Sequence, residues 1–220
     1  KIKGLLDCLY EGDAFEEIGE IDLEIKNEAF TCSGQVQYVS TAGNFKQKGL
    51  EYTGSLEVLK TILGYDYLWN NIRVKGGAYG CMSGFGTNGD CYMTSYRDPK
   101  LKETYDVYEK TIDYIENFSA NEREMTKYIL GTFGTLDTPK TPREEGLRSM
   151  MAYLKGLNED SIQKNRNEMM DATEEDIRAL AKYVQALLDC DVRCTVGNEE
   201  KIKETNERYP DLFKEMLPLI

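Results

Sequence analysis

The segment RVKGGAYG, residues 73–80, combines two hydrogen-bonding side chains with glycines. Arg73 offers several N–H donors to a carbonyl or carboxylate, and Tyr79, six positions later, offers one phenolic hydroxyl. Gly76 and Gly77 have no side chain and let a second backbone come close. These parts suit a site that holds an extended peptide and polarises one of its carbonyl groups. The segment supplies neither a nucleophile nor an activated water.

A structural interpretation of the same residues is also open. The glycines then form a bulge at the start of a strand, Tyr79 is half-buried, and Arg73 and Lys75 extend into solvent. Trp69, the single tryptophan of the chain, is expected to be a core anchor beneath the loop that carries Arg73.

Histidine is absent from all 220 residues. This excludes Ser-His-Asp and Cys-His catalysis and removes the commonest zinc ligand, so we assign no metal site to the chain. The six cysteines form no C-x-x-C pair, which indicates reduced thiols. Cys190 and Cys194 lie in CDVRCTVG, which predicts a buried strand with both thiols on one face as small apolar core residues.

The formal net charge is −12, and no segment concentrates basic residues, which argues against nucleic acid as a partner. The apolar runs are far too short for a membrane span, and the first residues do not resemble a signal peptide. We therefore expect a cytoplasmic protein that contacts neither nucleic acid nor membrane. Since the chain begins without methionine, we expect it to be a piece of a longer protein.

Alternating apolar residues predict strands. Val36 and Tyr38 alternate with polar neighbours as in a half-buried strand, and residues 21–25 fit a strand more weakly. Asn88-Gly89 lies between two further strand-like runs and predicts a tight hairpin. The formal G-x-G-x-x-G match at residues 84–89 belongs to this hairpin, because a strand follows it where a dinucleotide site needs a helix.

Apolar residues at helical spacing predict a helix from Leu56 that is interrupted at Gly64. A long helix is predicted with Asp98 as its cap and Pro99 at its first position, which also explains Asp98 better than a site shared with Arg97. Capping boxes predict two further helix starts, at Ser119 and Thr141, and the segment TEED predicts a third at residues 173–176. The closing segment NEEKIKETNERYPDLFKEML predicts one or two polar helices.

Strands separated by long helices, with one antiparallel hairpin, predict an α+β fold whose helices pack on one face of a mixed or antiparallel sheet. No linker, repeat or low-complexity segment divides the chain, so we expect residues 1–220 to form a single domain.

Long segments of the chain are similar to one protein family. Residues 41–85, 95–109 and 122–150 resemble the C-terminal region of the insulinase-type (inverzincin, M16) zinc metallopeptidases, and the presequence-protease subfamily in particular. The motifs R-V-x-G-G-A-Y-G and S-Y-R-D-P are specific to that subfamily. The resemblance implies a domain of the insulinase/processing-peptidase type, the last of four homologous α+β domains that close in two halves around a peptide.

The resemblance also implies a division of roles. Zinc is held by an H-x-x-E-H helix and a distant glutamate in the N-terminal half of the full-length protein, which is the partner of this chain. Arg73 binds the backbone of the peptide substrate and Tyr79 the scissile carbonyl, with Gly76 and Gly77 as substrate-binding positions between them. Because this chain lacks H-x-x-E-H, the fragment alone is expected to be inactive.

A non-catalytic scaffold or interaction module of the same fold is the alternative. The retained Arg73 and Tyr79 argue against it, since a scaffold does not need this pair. A stand-alone enzyme that works through carboxylates or thiols has no supporting group of residues.

Overall fold

A computed structural model describes Gly12 and residues 27–219. Its strands are β1 Glu28–Cys32, β2 Gln37–Asn44, β3 Gly80–Phe85, β4 Asp90–Asp98, β5 Val192–Asn198 and β6 Glu215–Pro218. They form one six-stranded sheet in the order β3-β4-β2-β5-β1-β6. The strand predicted at residues 21–25 lies outside the described residues.

The sheet is mixed. β2, β3 and β4 are antiparallel neighbours, β5 runs antiparallel to β2, and β1 is parallel to both β5 and β6. The β3–β4 hairpin is confirmed, and Gly89 in its turn has φ of 97°, a left-handed conformation that suits glycine. The predicted final strand is confirmed as β5, which lies between β2 and β1.

Helices cover one face of this sheet. They are α1 Ser55–Ile62, α2 Lys102–Glu109, α3 Thr111–Glu116, α4 Glu122–Leu136, α5 Pro142–Leu154, α6 Glu159–Met170, α7 Glu174–Ala179, α8 Ala181–Leu188 and α9 Glu199–Arg208. Two buried tyrosines of α2 join helices to sheet: Tyr108 donates to the Val39 carbonyl at 3.0 Å, and the Tyr105 hydroxyl lies 2.9 Å from Thr195 Oγ1. The predicted α+β class is confirmed.

The faces of β2 are the reverse of the predicted pattern. Gln37, Val39 and Thr41 are buried beneath the helices, whereas Tyr38 is exposed on the open face. The buried glutamine is tolerated because its side-chain oxygen accepts a hydrogen bond from the backbone N–H of Asn198 at 2.9 Å. A shift of one residue exchanges the two faces of a strand, and the short apolar alternation did not fix the correct one.

The predicted helix start at Asp98 is wrong. Asp98 ends β4, is fully buried, and accepts hydrogen bonds from Lys100 N and Thr104 Oγ1, both at 2.8 Å. The helix begins at Lys102, so Pro99 is not its first residue, and Lys110 separates α2 from α3. The aspartate therefore ties the strand end to the first turn of α2 without capping it.

Two of these three predicted helix starts are confirmed. Thr141 pairs with Glu144 at the start of α5, and Thr173 pairs with Asp176 at the start of α7. The third prediction is wrong, because Asn121 rather than Ser119 caps α4.

The end of the chain differs from its prediction in two ways. α9 is the polar closing helix, but the residues that follow it form the edge strand β6 beside β1. Cys190 precedes β5, with its thiol 3.3 Å from the Ala186 carbonyl, while Cys194 is half-buried within the strand. The two cysteines therefore do not form the predicted buried pair in one strand.

Candidate functional site

The helix that carries Arg73 changes its winding before it reaches the site. After α1 the chain continues as two π-helical segments, Leu63–Tyr67 and Trp69–Val74. The predicted interruption at Gly64 is therefore confirmed, as a change of helix type. Short π-helical segments are frequent at functional sites, because the extra residue redirects the side chains that follow. Arg73 lies in the last turn of the second segment.

The glycines of RVKGGAYG end this helix. The N–H of Gly77 donates to the Arg73 carbonyl at 3.0 Å, and that of Ala78 donates to the Ile72 carbonyl at 3.1 Å. Gly77 has φ of 87°, as is usual for a glycine just past a helix end. At Gly76 a Cβ would overlap the Ile72 carbonyl oxygen. The wide helix end thus requires both glycines and turns the chain directly into β3.

Arg73 lies against two exposed aromatic rings. Its guanidinium carbon is 4.6 Å from the centroid of the Trp69 ring and 5.3 Å from that of Tyr79. Both distances are within the range of cation–π attraction. Trp69 is 41% exposed, so the prediction that it anchors the core is wrong; its indole supports the guanidinium instead. Tyr79 is 63% exposed, which also contradicts the half-buried interpretation.

Arg73 and Tyr79 line a shallow open depression of about 450 Å³. Arg97, Gly77, Val36 and Val74 contribute to the same lining. Thus two donors of different geometry reach one concave surface, next to a glycine that has no side chain to block it. Such a surface can accept an extended peptide and donate hydrogen bonds to its carbonyl groups.

A row of tyrosines extends from the depression along the open face of the sheet. The ring of Tyr79 lies edge-on to that of Tyr96 at 5.7 Å between centroids, and Tyr96 lies edge-on to Tyr38 at 5.4 Å. This row was not predicted from the sequence, because the alternation around Val36 placed Tyr38 on the buried face. The signal that points to it is Tyr92, Thr94 and Tyr96 at every second position of β4, which places the three side chains on one face.

Arg97 also lines the depression, although the sequence favoured a structural interpretation over a site shared by Arg97 and Asp98. It lies at a β-bulge, where two residues of β4, Tyr96 and Arg97, oppose the single residue Tyr38 of β2. Its φ of 50° is in the left-handed region. Tyr79 N lies 3.1 Å from the Tyr96 carbonyl and 3.4 Å from that of Arg97, so the bulge is bonded to the start of β3. Asp98, the next residue, is buried and accepts a hydrogen bond from Thr104 of α2, and it does not line the depression.

The donor set of the chain does not fit a catalytic zinc ion. The sequence has no histidine, and within the described part of the chain no three Cys, Asp or Glu side chains are grouped to hold a metal. Burial raises the pKa of the Cys81 thiol to about 11, although nearby Arg73 lowers it, and burial raises that of Cys91 to about 12. These thiols are protonated near neutral pH and are poor ligands. Separately, no helix in residues 27–219 is long and apolar enough to cross a bilayer.

Relatives with curated descriptions match most of the chain. Protein HypA of Clostridium perfringens is 41% identical over 212 residues, which are 96% of this chain and 22% of the relative. Presequence protease 1, chloroplastic/mitochondrial, of Arabidopsis thaliana is 32% identical over 193 residues, 87% of this chain and 18% of that protein. The chain therefore spans about a fifth of the length of these relatives.

Solved structures share the fold at low identity. The peptidase M16 inactive domain from Pseudomonas fluorescens matches with a TM-score of 0.60 at 17% identity, over 85% of this chain and 47% of that one. A putative zinc protease from Bordetella pertussis matches with a TM-score of 0.54 at 15% identity, over 76% of this chain and 96% of that one. The family model described as the PreP C-terminal domain matches residues 27–196. The chain accordingly belongs to the presequence-protease (PreP) C-terminal domain family.

Proposed function

We propose that this chain is the C-terminal, substrate-clamping part of a zinc-dependent peptidase that degrades oligopeptides in a closed chamber. It is the last of four homologous domains and forms a single domain. The zinc would be held by an H-x-x-E-H motif in the N-terminal half of the same polypeptide, since the residues of this chain do not suit it. The fragment alone is therefore inactive. A cytoplasmic location stays a prediction, because some relatives are named mitochondrial or chloroplastic.

One observation carries this proposal: the half-buried Arg73 and the exposed Tyr79 line one depression. Arg73, held between two rings, donates to a backbone carbonyl of the peptide. Tyr79 donates its hydroxyl to the scissile carbonyl, whose oxygen gains negative charge as the bond is attacked. Gly77 leaves room for the peptide backbone, and Gly76 fixes the turn that presents Gly77.

Replacing Tyr79 by phenylalanine in the full-length protein tests this role. Loss of one donor to a developing oxyanion typically lowers kcat by about 10²–10³-fold. We expect a fall of this size in peptide hydrolysis, measured with an internally quenched peptide, with zinc content unchanged. Tyr92→Phe is the matched control, since Tyr92 is an exposed tyrosine of β4 outside the depression. Hydrolysis by Tyr79→Phe at the rate of the Tyr92→Phe variant would refute the assignment.

A non-catalytic interaction module is the second candidate. It is favoured by the donor set, which does not fit zinc, and by the inactive M16 domain among the proteins of the same fold. The two candidates differ in the rest of the polypeptide. An H-x-x-E-H motif encoded upstream in the same reading frame supports the peptidase, and a full-length protein without it supports the module.

A further inference from the structure

We propose that Arg97 is a second cationic residue of the depression and that it binds a carboxylate of the bound peptide. The carboxylate is either the α-carboxylate at the end of the peptide or the side chain of an aspartate or glutamate. This inference rests on the proposed peptidase function and adds a preference among peptides to it.

The backbone of β4 directs Arg97 to this position. A bulge inserts one additional residue and re-aims the side chain that it carries. The φ of 50° at Arg97 is unfavourable for a residue with a Cβ and would suit glycine. The hydrogen bonds from Tyr79 N to the carbonyls of Tyr96 and Arg97 hold the bulge beside the depression. An arginine therefore occupies a glycine-type position at the edge of the site.

The charges around the depression favour an anion. The residues that line the depression include two arginines and no aspartate or glutamate. Several described arginines contact a carboxylate: Arg166, Arg178, Arg193 and Arg208. Five described arginines form no ion pair, and only two of them, Arg73 and Arg97, line this depression; the others are Arg123, Arg143 and Arg148. Two guanidinium groups that are not neutralised attract a negative group of the ligand.

A carboxylate matches the guanidinium group of Arg97 in shape and charge. The planar guanidinium presents a fork of N–H donors that meets both oxygens of a carboxylate at once. Arg73 is held by Trp69 and Tyr79 and is assigned to the peptide backbone. Arg97 is exposed and has no such aromatic support in the described structure, so its side chain is free to follow a carboxylate at the edge of the depression.

The test compares variants of the full-length protein on paired peptides. Arg97→Gly removes the guanidinium and relieves the left-handed backbone, so the variant should be at least as stable as the wild type. Arg97→Lys keeps the positive charge without the fork. Arg123→Gln removes an exposed arginine of α4, away from the depression, and serves as control. The peptides share one sequence and differ in a free or amidated C-terminus and in glutamate or glutamine at single positions.

For a peptide whose carboxylate reaches Arg97, we expect Arg97→Gly to raise KM about tenfold at unchanged kcat, with a smaller rise for Arg97→Lys. The neutral, amidated peptide should be cleaved as by the wild type. A loss that depends on the free C-terminus identifies the α-carboxylate, and one that depends on glutamate identifies a side chain. Equal KM values for charged and neutral peptides would overturn the inference while leaving the peptidase function intact. A wild-type protein that cleaves neither peptide would refute the proposed function itself.

Discussion

At the scale of single residues, the site depends on what surrounds Arg73. The spacing of Arg73 and Tyr79 and the glycines between them could be recognised in the sequence, because residue type and spacing are local properties. The exposure of Trp69 could not, since a lone tryptophan in an apolar segment most often belongs to the core. The change to π-helical winding decides which way this ring points, and no residue pattern marked it beyond Gly64.

Trp69 is the only tryptophan of the chain, so its fluorescence reports on Arg73 directly. In Arg73→Ala the guanidinium no longer covers one face of the indole ring. We expect acrylamide to quench the tryptophan emission more strongly, with a larger Stern–Volmer constant than in the wild type. Lys75→Ala is the control, because the Lys75 amine bonds Asn71 and not the ring. Equal quenching in all three proteins would show that the two side chains do not stack in solution.

At the scale of elements, the helix that ends at the site has two kinds of glycine. Gly76 lies where a Cβ would overlap the Ile72 carbonyl oxygen, whereas Gly64 has nothing within 4 Å of the position of its Cβ. From the sequence, Gly64 is predicted to weaken the helix, and Gly76 and Gly77 are predicted to leave room for a ligand. In the structure, Gly76 is needed first of all to end the helix. This need depends on backbone geometry, which a sequence pattern does not contain.

These two glycines should respond in opposite directions to alanine. Gly64→Ala should raise the free energy of unfolding by about 0.5–1 kcal/mol, because alanine restricts the unfolded chain and suits a helix. Gly76→Ala should lower it by about 1–3 kcal/mol, since the added methyl group forces the helix end apart. Urea unfolding followed by circular dichroism measures both. Destabilisation by Gly64→Ala, or none by Gly76→Ala, would contradict this account of the helix.

Boundaries of elements were predicted only where local chemistry was sufficient. The boxes at Thr141 and Thr173 satisfy backbone donors within three residues, so local spacing could predict these helix starts, whereas the same spacing at Ser119 was misleading because Asn121 is the cap. Asp98 has the same capping chemistry, but long-range pairing with β2 keeps it in the strand, and Thr104 takes its carboxylate. The edge strand β6 likewise exists because β1 pairs with it, and its own sequence did not predict it.

At the scale of the whole molecule, buried tyrosines and cysteines should make the folded chain less stable at alkaline pH. Burial raises the pKa of Tyr67 and of Cys91 to about 12 each, and that of Cys81 to about 11, from ordinary values of 10.0 for tyrosine and 9.0 for cysteine. The fold class was predictable from the order of strands and helices. This burial was not, because it follows from how the elements pack.

These groups keep their protons in the folded chain at pH values where the unfolded chain loses them. Deprotonation therefore favours the unfolded state, and the contribution of these groups to the free energy of unfolding should be constant below about pH 8 and fall as the pH rises towards 12. Urea midpoints at pH 8 and pH 10.5 measure this fall. Cys91→Ala should reduce the difference between the two midpoints, whatever its effect at pH 8. A midpoint independent of pH across this range would contradict the burial of these groups.

The position of β5 has a consequence for synthesis of the protein. Within this domain β1 and β2 are made before the helices α1–α8, and the strand that joins them is made only after α8. Until translation passes Asn198, the nascent chain holds two strands whose central edges await the same partner. Non-local pairing of this kind slows folding and leaves those edges open to other chains. Release of a chain truncated before β5 will therefore yield aggregate in place of a smaller folded domain.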